Sequence, residues 1–407
     1  MARIIVEGGN ALFGNVQVSG SKNAALPIIF ATLIARGESV IHALPDISDV
    51  NVALKIIECF GARVRREGST AYVDTSSLHY TDAYAEHTSK IRASTYLIGS
   101  CLARFGRVKI SSYGGCNFTN RPIDMHVMAA RAFGAQTSAD ELLLGAPHGA
   151  NIVFDKVSVG ATVNSLLLAA AIPASSRITP YAKEPHVTCL IDFLRSAGAD
   201  IRQQGDTLEI RGGTLHGGEI TLIGDMIEAG SYISASVLTE GQVRVCGFNP
   251  LELEAFAAAL RPSGVELDFG DGWAQARGLP HSAISIITAP YPHFPTDLQP
   301  LIAPLMLKYS GGEITERVFD GRFGYLSMLT RFGGEYKISG ATAYLTPAKI
   351  SSATVRATDL RGGAACLMLA LAARGVSEIE CGEIILRGYE KITEKLGLLG
   401  AKIHIED

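Results

Sequence analysis

The sequence carries no excess of basic charge, no paired-cysteine motif and no long apolar run. Its 36 Lys and Arg are outnumbered by 40 Asp and Glu, a formal net charge of -4, so there is no electrostatic reason to expect a nucleic-acid partner. Seven cysteines, an odd number with no CxxC pair and no His/Cys ligand spacing, argue against a disulfide framework and against a structural zinc site. Most should be buried thiols. No uninterrupted apolar stretch approaches the roughly 20 residues of a membrane span, because Arg36, Lys90 and Arg104 interrupt the longest candidates. No membrane insertion is expected. The opening MARIIVEGGN leads straight into a strand pattern without the layout of a signal peptide, which makes a cytoplasmic location the expectation. Neither a metal nor an organic cofactor is implied.

What the sequence has in quantity is repetition. A polar or charged turn precedes an Ala/Leu/Ile-rich helical stretch, a Gly or Arg-Gly stop and a strand, as in KNAALPIIFATLIARGESVI from Lys22 and DLRGGAACLMLALAARGVSEI from Asp359. Further copies begin near Arg92, Ser158, Glu228 and Asp297. A second, amphipathic helix closes each copy at Gly61, Gly134, Gly198, Gly264, Gly333 and Gly400, spaced by roughly 65 to 75 residues, a period that marks structural repeats. The first helix of each copy is apolar nearly all round, which implies burial on every side. A short hairpin with Gly at its turn follows, as in RVRREGSTAYVD.

With 407 residues, 47% hydrophobic and 19% charged, the chain reads as a well-packed globule of two domains. The predicted fold class is α/β, with six βαβαβ-type units, three per domain. The boundary is placed near Gly224, giving one domain over 21–224. The strands before Ser19 would be orphaned there, so 1–20 are assigned with 225–407, and two crossing segments then make a hinge beside a ligand cleft.

The chemistry-bearing residues gather where the first helix of each copy begins. Lys22 and Asn23 open one such helix, where backbone N–H groups and the helix dipole favour an anion; one copy alone would read as a solvated lysine. Arg92, Ser158, Asp297, Asp359 and Arg361 hold the equivalent place elsewhere, and the recurrence weakens that bland reading. Cys116 lies in the Gly-rich loop Tyr113–Pro122, near Arg121, where a thiol ionises more readily than in a core. Arg121, Arg322 and Arg387, each taken singly, read as surface ion-pair partners. Together with Lys22, Arg92 and Arg361 they offer six cations for a substrate with several negative charges. Asp297 by itself reads as a helix cap, or as a carboxylate able to take a proton from a hydroxyl. Val157–Gly160 is a turn whose amides suit phosphate, a weak signal alone.

The segments SGSKNAALP, IRAS, GGC followed by RPIDMH, DKVSVGAT, EPHV, IEAGS, FPTDLQ, ITERVF, ATDLRGGA and RGYEKI run in order along the whole chain. On these the sequence resembles the UDP-N-acetylglucosamine 1-carboxyvinyltransferases, a family of enolpyruvyl transferases, and is more distantly similar to the shikimate-pathway enolpyruvyl synthases. The resemblance implies a two-domain inside-out α/β barrel and transfer of the enolpyruvyl group of phosphoenolpyruvate to the 3′-hydroxyl of the nucleotide sugar, a step of peptidoglycan precursor synthesis. It implies Cys116 as the acid that protonates the methylene carbon and the target of fosfomycin, and Asp297 as the base. Lys22, Arg92, Arg121, Arg322, Arg361 and Arg387 would hold phosphate and carboxylate. Asn23, Thr296, Asp297 and Val318 would face the amino sugar, and Arg121, Pro122 and Met125 the uracil. Lys156, Ser158, Val159 and Gly160 would take the diphosphate, with Asp124 and Asp359 among the substrate contacts.

The chain departs from that pattern at Tyr113 and Asn117–Asn120, at Met226 in place of arginine, at Leu386 in place of aspartate, and across Asp320–Tyr325. These changes leave open an acceptor that is another uridine nucleotide, such as UMP in nucleoside-antibiotic assembly. A catalytically silent nucleotide-sugar-binding regulator would lack the acid, the base or the cations, yet all are present.

Overall fold

A computed structural model describes residues 2–110 and 122–406. The chain packs as two compact units, 20–223 with 111–121 aside, and 2–19 with 224–406, each around its own hydrophobic core.

The third repeat shows the pattern in full. The strand Asn151–Val153 is followed by the helix Val159–Ala171, which returns the chain to a parallel strand, Ser175–Thr179. After the helix Pro185–Ser196 comes the hairpin Asp200–Gln204 and Thr207–Arg211. Its second arm inserts antiparallel beside Ser175–Thr179. The register aligns Ile152, Ile178 and Leu208 across three strands, all buried, so one sheet face is apolar and covered by helices. The fifth repeat repeats this order with Ile284–Ile287, Gly312–Thr315, Thr342–Thr346 and Glu335–Ser339, aligning Ile286, Ile314 and Ala343.

Two repeats borrow a strand from a distant part of the chain. Glu219–Thr221 pairs in parallel with Glu38–His42, and Phe13–Gln17 with Gln242–Cys246. In the sixth repeat Arg3–Gly8 fits antiparallel between Gly375–Glu380 and Lys402–Glu406, so that sheet joins the two ends of the chain. Nothing local dictates this; an unpaired row of backbone donors and acceptors is costly, and the borrowed strand satisfies it.

The first helix of each repeat forms the interior. Every residue of Met226–Leu238 is buried, and so is nearly all of Leu360–Ala372 and Val159–Ala171. Such a helix has no polar face, so its ends alone can carry polar function. The glycines closing the second helices, Gly61, Gly134, Gly198, Gly264, Gly333 and Gly400, all have positive φ, from 93° to 129°, the conformation that strains any residue with a Cβ. Of the six cysteines among the described residues, four are buried.

Candidate functional site

In the 224–406 unit the acidic and basic candidates meet at the start of a buried helix. Asp297 precedes the helix Gln299–Leu305, whose N-cap is Leu298. Asp297 therefore stands one position before the N-cap, not at the cap position that Asp297 taken alone suggested. It pairs with two arginines: Arg322 Nη2 lies 2.9 Å from Oδ1 and Arg361 Nη2 lies 3.4 Å from Oδ2. Arg322 also donates from Nη1 to Thr296 Oγ1 at 2.8 Å, and Thr296 donates in turn to Glu316 at 2.8 Å.

Glu316, which the sequence did not single out, organises this corner. Its Oε1 accepts from Val318 N at 2.7 Å, Phe319 N at 3.0 Å and Thr288 Oγ1 at 2.7 Å. The loop carrying Val318 is thus folded back on a buried carboxylate. Glu316 lies within the ITERVF segment, the one sequence signal that would have found it.

Arg322 and Arg361 are only 4% and 3% exposed. The surface ion-pair reading of Arg322 is corrected: burial leaves it dependent on Asp297 and Thr296. Arg361 is the second residue of the Leu360–Ala372 helix, 5.5 Å above the Tyr389 ring, and Ser231 Oγ lies 2.8 Å from the Tyr389 hydroxyl. Burial works against the Arg361 charge, but Tyr389, Asp297 and Asp225 outweigh it and hold the guanidinium above its ordinary value. Its Nε and Nη1 have no hydrogen-bond partner among the described residues, which is costly for a buried cation. Two unsatisfied donors on a fixed guanidinium fit an anion. Asp359 caps its own helix, accepting from Gly362 N at 2.8 Å. Arg387 follows the short helix Glu383–Leu386 and is half-buried.

In the 20–223 unit the candidates again sit at helix starts. Lys22 begins the Lys22–Ala31 helix, beside Asn23, with its Nζ 3.9 Å from Asp49. Its side chain is 12% exposed, so it is not the solvated lysine of the bland reading. Ser158 caps the Val159–Ala171 helix by accepting from Ala161 N at 3.3 Å, and Lys156 is exposed just before it. Asp124 and Met125 open the helix Asp124–Ala132, after the exposed Pro122. Arg92 opens a 3₁₀ turn, Arg92–Tyr96.

His126 ties these segments together; it ends the RPIDMH segment, though that segment assigned it no role. Asn164 accepts from Gly99 N at 2.7 Å through Oδ1, which fixes its Nδ2 as the donor to Thr95 O at 3.0 Å and to His126 Nδ1 at 2.6 Å. The proton of the neutral imidazole therefore sits on Nε2. Burial, helped by the Arg92 charge and opposed by Asp124, pushes the ring down to about 4, so it is neutral at physiological pH. Its Cε1–Nε2 edge abuts Gly160, where an added Cβ would lie 2.7 Å from Cε1. Cys116 and Arg121, with Asn117–Asn120, lie outside the described residues.

The EPSP synthase (3-phosphoshikimate 1-carboxyvinyltransferase) family model matches residues 6–396. The chain is 38% identical over 421 aligned positions to UDP-N-acetylglucosamine 1-carboxyvinyltransferase 2 of Clostridium acetobutylicum, covering 100% of both chains. It is 39% identical to UDP-N-acetylglucosamine 1-carboxyvinyltransferase 3 of Caldanaerobacter subterraneus subsp. tengcongensis, covering 99% of each. The chain belongs to the EPSP synthase family.

Among solved structures, the enolpyruvyl transferase NikO from Streptomyces tendae matches with a TM-score of 0.88 at 27% identity, covering 100% of this chain and 99% of that one. EPSP synthase from Acinetobacter baumannii shares the fold, with a TM-score of 0.74 at 16% identity over the full length of both. The protein is an enolpyruvyl transferase with a two-domain α/β fold. Among the described residues no helix is long and apolar enough to cross a membrane, and no cluster of His, Cys, Asp and Glu is arranged to hold a metal ion.

Proposed function

We propose that the protein transfers the enolpyruvyl group of phosphoenolpyruvate to the 3′-hydroxyl of UDP-N-acetylglucosamine, releasing phosphate, and that it does so in the cytoplasm. The observation that carries this reading is Asp297 held between Arg322 and Arg361, with two Arg361 nitrogens unsatisfied among the described residues. An aspartate paired to two guanidiniums is a weak base, because both charges stabilise its ionised form. An anionic substrate that draws on those guanidiniums weakens their hold and makes the carboxylate more basic as the hydroxyl arrives. In this scheme Asp297 takes the hydroxyl proton while Cys116 delivers a proton to the methylene carbon. Lys22, Arg92, Arg121, Arg322, Arg361 and Arg387 stabilise the phosphate and carboxylate charge. Asn23, Thr296 and Val318 face the sugar, Pro122, Asp124 and Met125 the nucleoside, and Lys156, Ser158, Val159 and Gly160 the diphosphate, with Asp359 shaping the turn beside Arg361.

A second reading, transfer to another uridine nucleotide such as UMP, is favoured by the departures at Asn117–Asn120, Met226 and Leu386. One experiment separates the two. Purified protein is given phosphoenolpyruvate with UDP-N-acetylglucosamine, UMP or other uridine nucleotides in turn, and phosphate release and product mass are followed. Product with UDP-N-acetylglucosamine is expected; product only with UMP selects the second reading, and phosphate release with none refutes both. Asp297→Ala should lower turnover far more than it weakens nucleotide binding, and equal losses would demote Asp297 to a contact residue.

A further inference from the structure

A cleft of about 430 Å³ opens in the 224–406 unit between the helical segment Pro250–Leu260, the strand Ile284–Ile287 and the turn that follows that strand. That volume suits a small organic molecule. Its wall is apolar at Leu251, Ala255, Ile286 and Phe294, and Phe294 is braced from behind by Phe256, ring to ring at 6.2 Å. The turn is tied across its base, Ala289 N donating to Phe294 O at 3.0 Å and His293 N to Pro290 O at 3.1 Å. Leu251 is 66% exposed at the rim, a large apolar side chain in water.

Glu252 is the exception in this wall. It is 7% exposed and its Oε2 has no hydrogen-bond partner among the described residues. A buried carboxyl without a donor is costly, and burial, with the Asp225 charge adding to it, pushes this one up to about 7. The other titratable groups lining the cleft are Glu254, Tyr291 and His293, and no Lys or Arg lines it among the described residues. An anion would meet two glutamates, and a neutral apolar guest would leave Glu252 as it is. A hard metal ion wants several oxygen ligands rather than one carboxyl among alkyl groups.

We propose that this cleft binds a small organic cation, an ammonium group on an aromatic or branched aliphatic body, with the nitrogen on Glu252 and the body against Leu251, Ala255, Ile286 and Phe294. The ammonium supplies the donor that the carboxyl lacks, and the exposed rim gives the body apolar surface to cover. The far wall of the cleft runs directly into Pro295, Thr296 and Asp297, so an occupant bears on the segment that carries the candidate base. The site itself requires nothing of the transferase reaction, and its test uses no turnover.

The probe is 2-phenylethylamine, titrated into the full-length protein by calorimetry at pH 8, with 2-phenylethanol as its neutral counterpart. The expected result is saturable one-to-one binding of the amine, at least about tenfold tighter than the alcohol, a preference set by the charge-assisted contact. Glu252→Gln should lose that preference, and Ala255→Phe, which fills the cleft, should lose binding of both. Equal affinity for amine and alcohol in the parent protein overturns the proposal without any variant. So does amine binding that survives unchanged in Ala255→Phe, or no saturable binding to the folded parent.

Discussion

Replacing Glu252 by Gln should make the protein more stable above neutral pH and leave it nearly unchanged in acid. The carboxyl is pushed from an ordinary 4.5 up to about 7, first by burial and then by the charge of Asp225. When a carboxyl has a higher pKa folded than unfolded, the unfolded chain ionises first as pH rises. The contribution is fully present below about 4.5, is lost progressively above it, and is gone above about 7. At about 1.4 kcal/mol per unit of pKa, that interval corresponds to a loss of about 3 kcal/mol in the parent. Glutamine has nearly the shape of the protonated carboxyl and does not titrate, so Glu252→Gln should match the parent near pH 4 and exceed it by about 3 kcal/mol at pH 8.5. The chain has one tryptophan, Trp273, in the strand Trp273–Arg277 and in the same compact unit as Glu252. Urea unfolding followed by its fluorescence therefore reports directly on that unit, and the variant-minus-parent difference cancels every carboxyl the two share. A difference that stays constant between pH 4.5 and 8.5 would refute the reasoning.

Lys395 sits 2.7 Å from the buried Glu228, whose carboxyl burial pushes up and Lys395 draws back down. Lys395→Met should cost about 3 to 5 kcal/mol by the same fluorescence assay, and a Glu228→Gln, Lys395→Met double variant should recover most of it; no recovery would show that the charge is not the cause. Gly160→Ala should drive its methyl into the His126 ring, displacing the start of the Val159–Ala171 helix and raising the nucleotide KM about tenfold or more with little change in kcat. Adding His126→Ala should relieve it, and an unchanged KM in Gly160→Ala would remove the turn from the nucleotide site. Fosfomycin should add one mass equivalent to the protein and none to Cys116→Ala, read by intact-mass spectrometry; an adduct that persists in the variant would place the reactive thiol elsewhere.

The repeat was legible because its physics is local. A helix such as Met226–Leu238, buried all round, must be apolar all round, and the second helices end on left-handed glycines that few other residues tolerate. Strand partnership was less legible, because it is not local. Nothing in Arg3–Gly8 names Gly375–Glu380 and Lys402–Glu406 as its neighbours; alternation shows that a strand has one buried face, not which sheet it completes. The same holds for Glu219–Thr221, which completes a sheet begun nearly two hundred residues earlier.

The candidate site divides along the same line. An all-apolar helix has only its ends for polar groups, so recurrence at helix starts was readable, yet recurrence does not assign a task. Ser158, Asp225 and Asp359 spend side-chain oxygens on the amides of their own helices. Asp297 differs by one position. The N-cap of its helix is Leu298, and the carboxylate, one position earlier, meets Arg322 and Arg361. A cap and a residue one step before a cap look alike in sequence, since both are an aspartate before an apolar run. What separates them is where two arginines, 25 and 64 positions further along, bring their guanidiniums. Glu316 and His126 escaped for a related reason: each is a single polar residue whose partners come from several segments, and only the packed chain shows that one folds the Val318 loop and the other leaves Gly160 no room for a side chain.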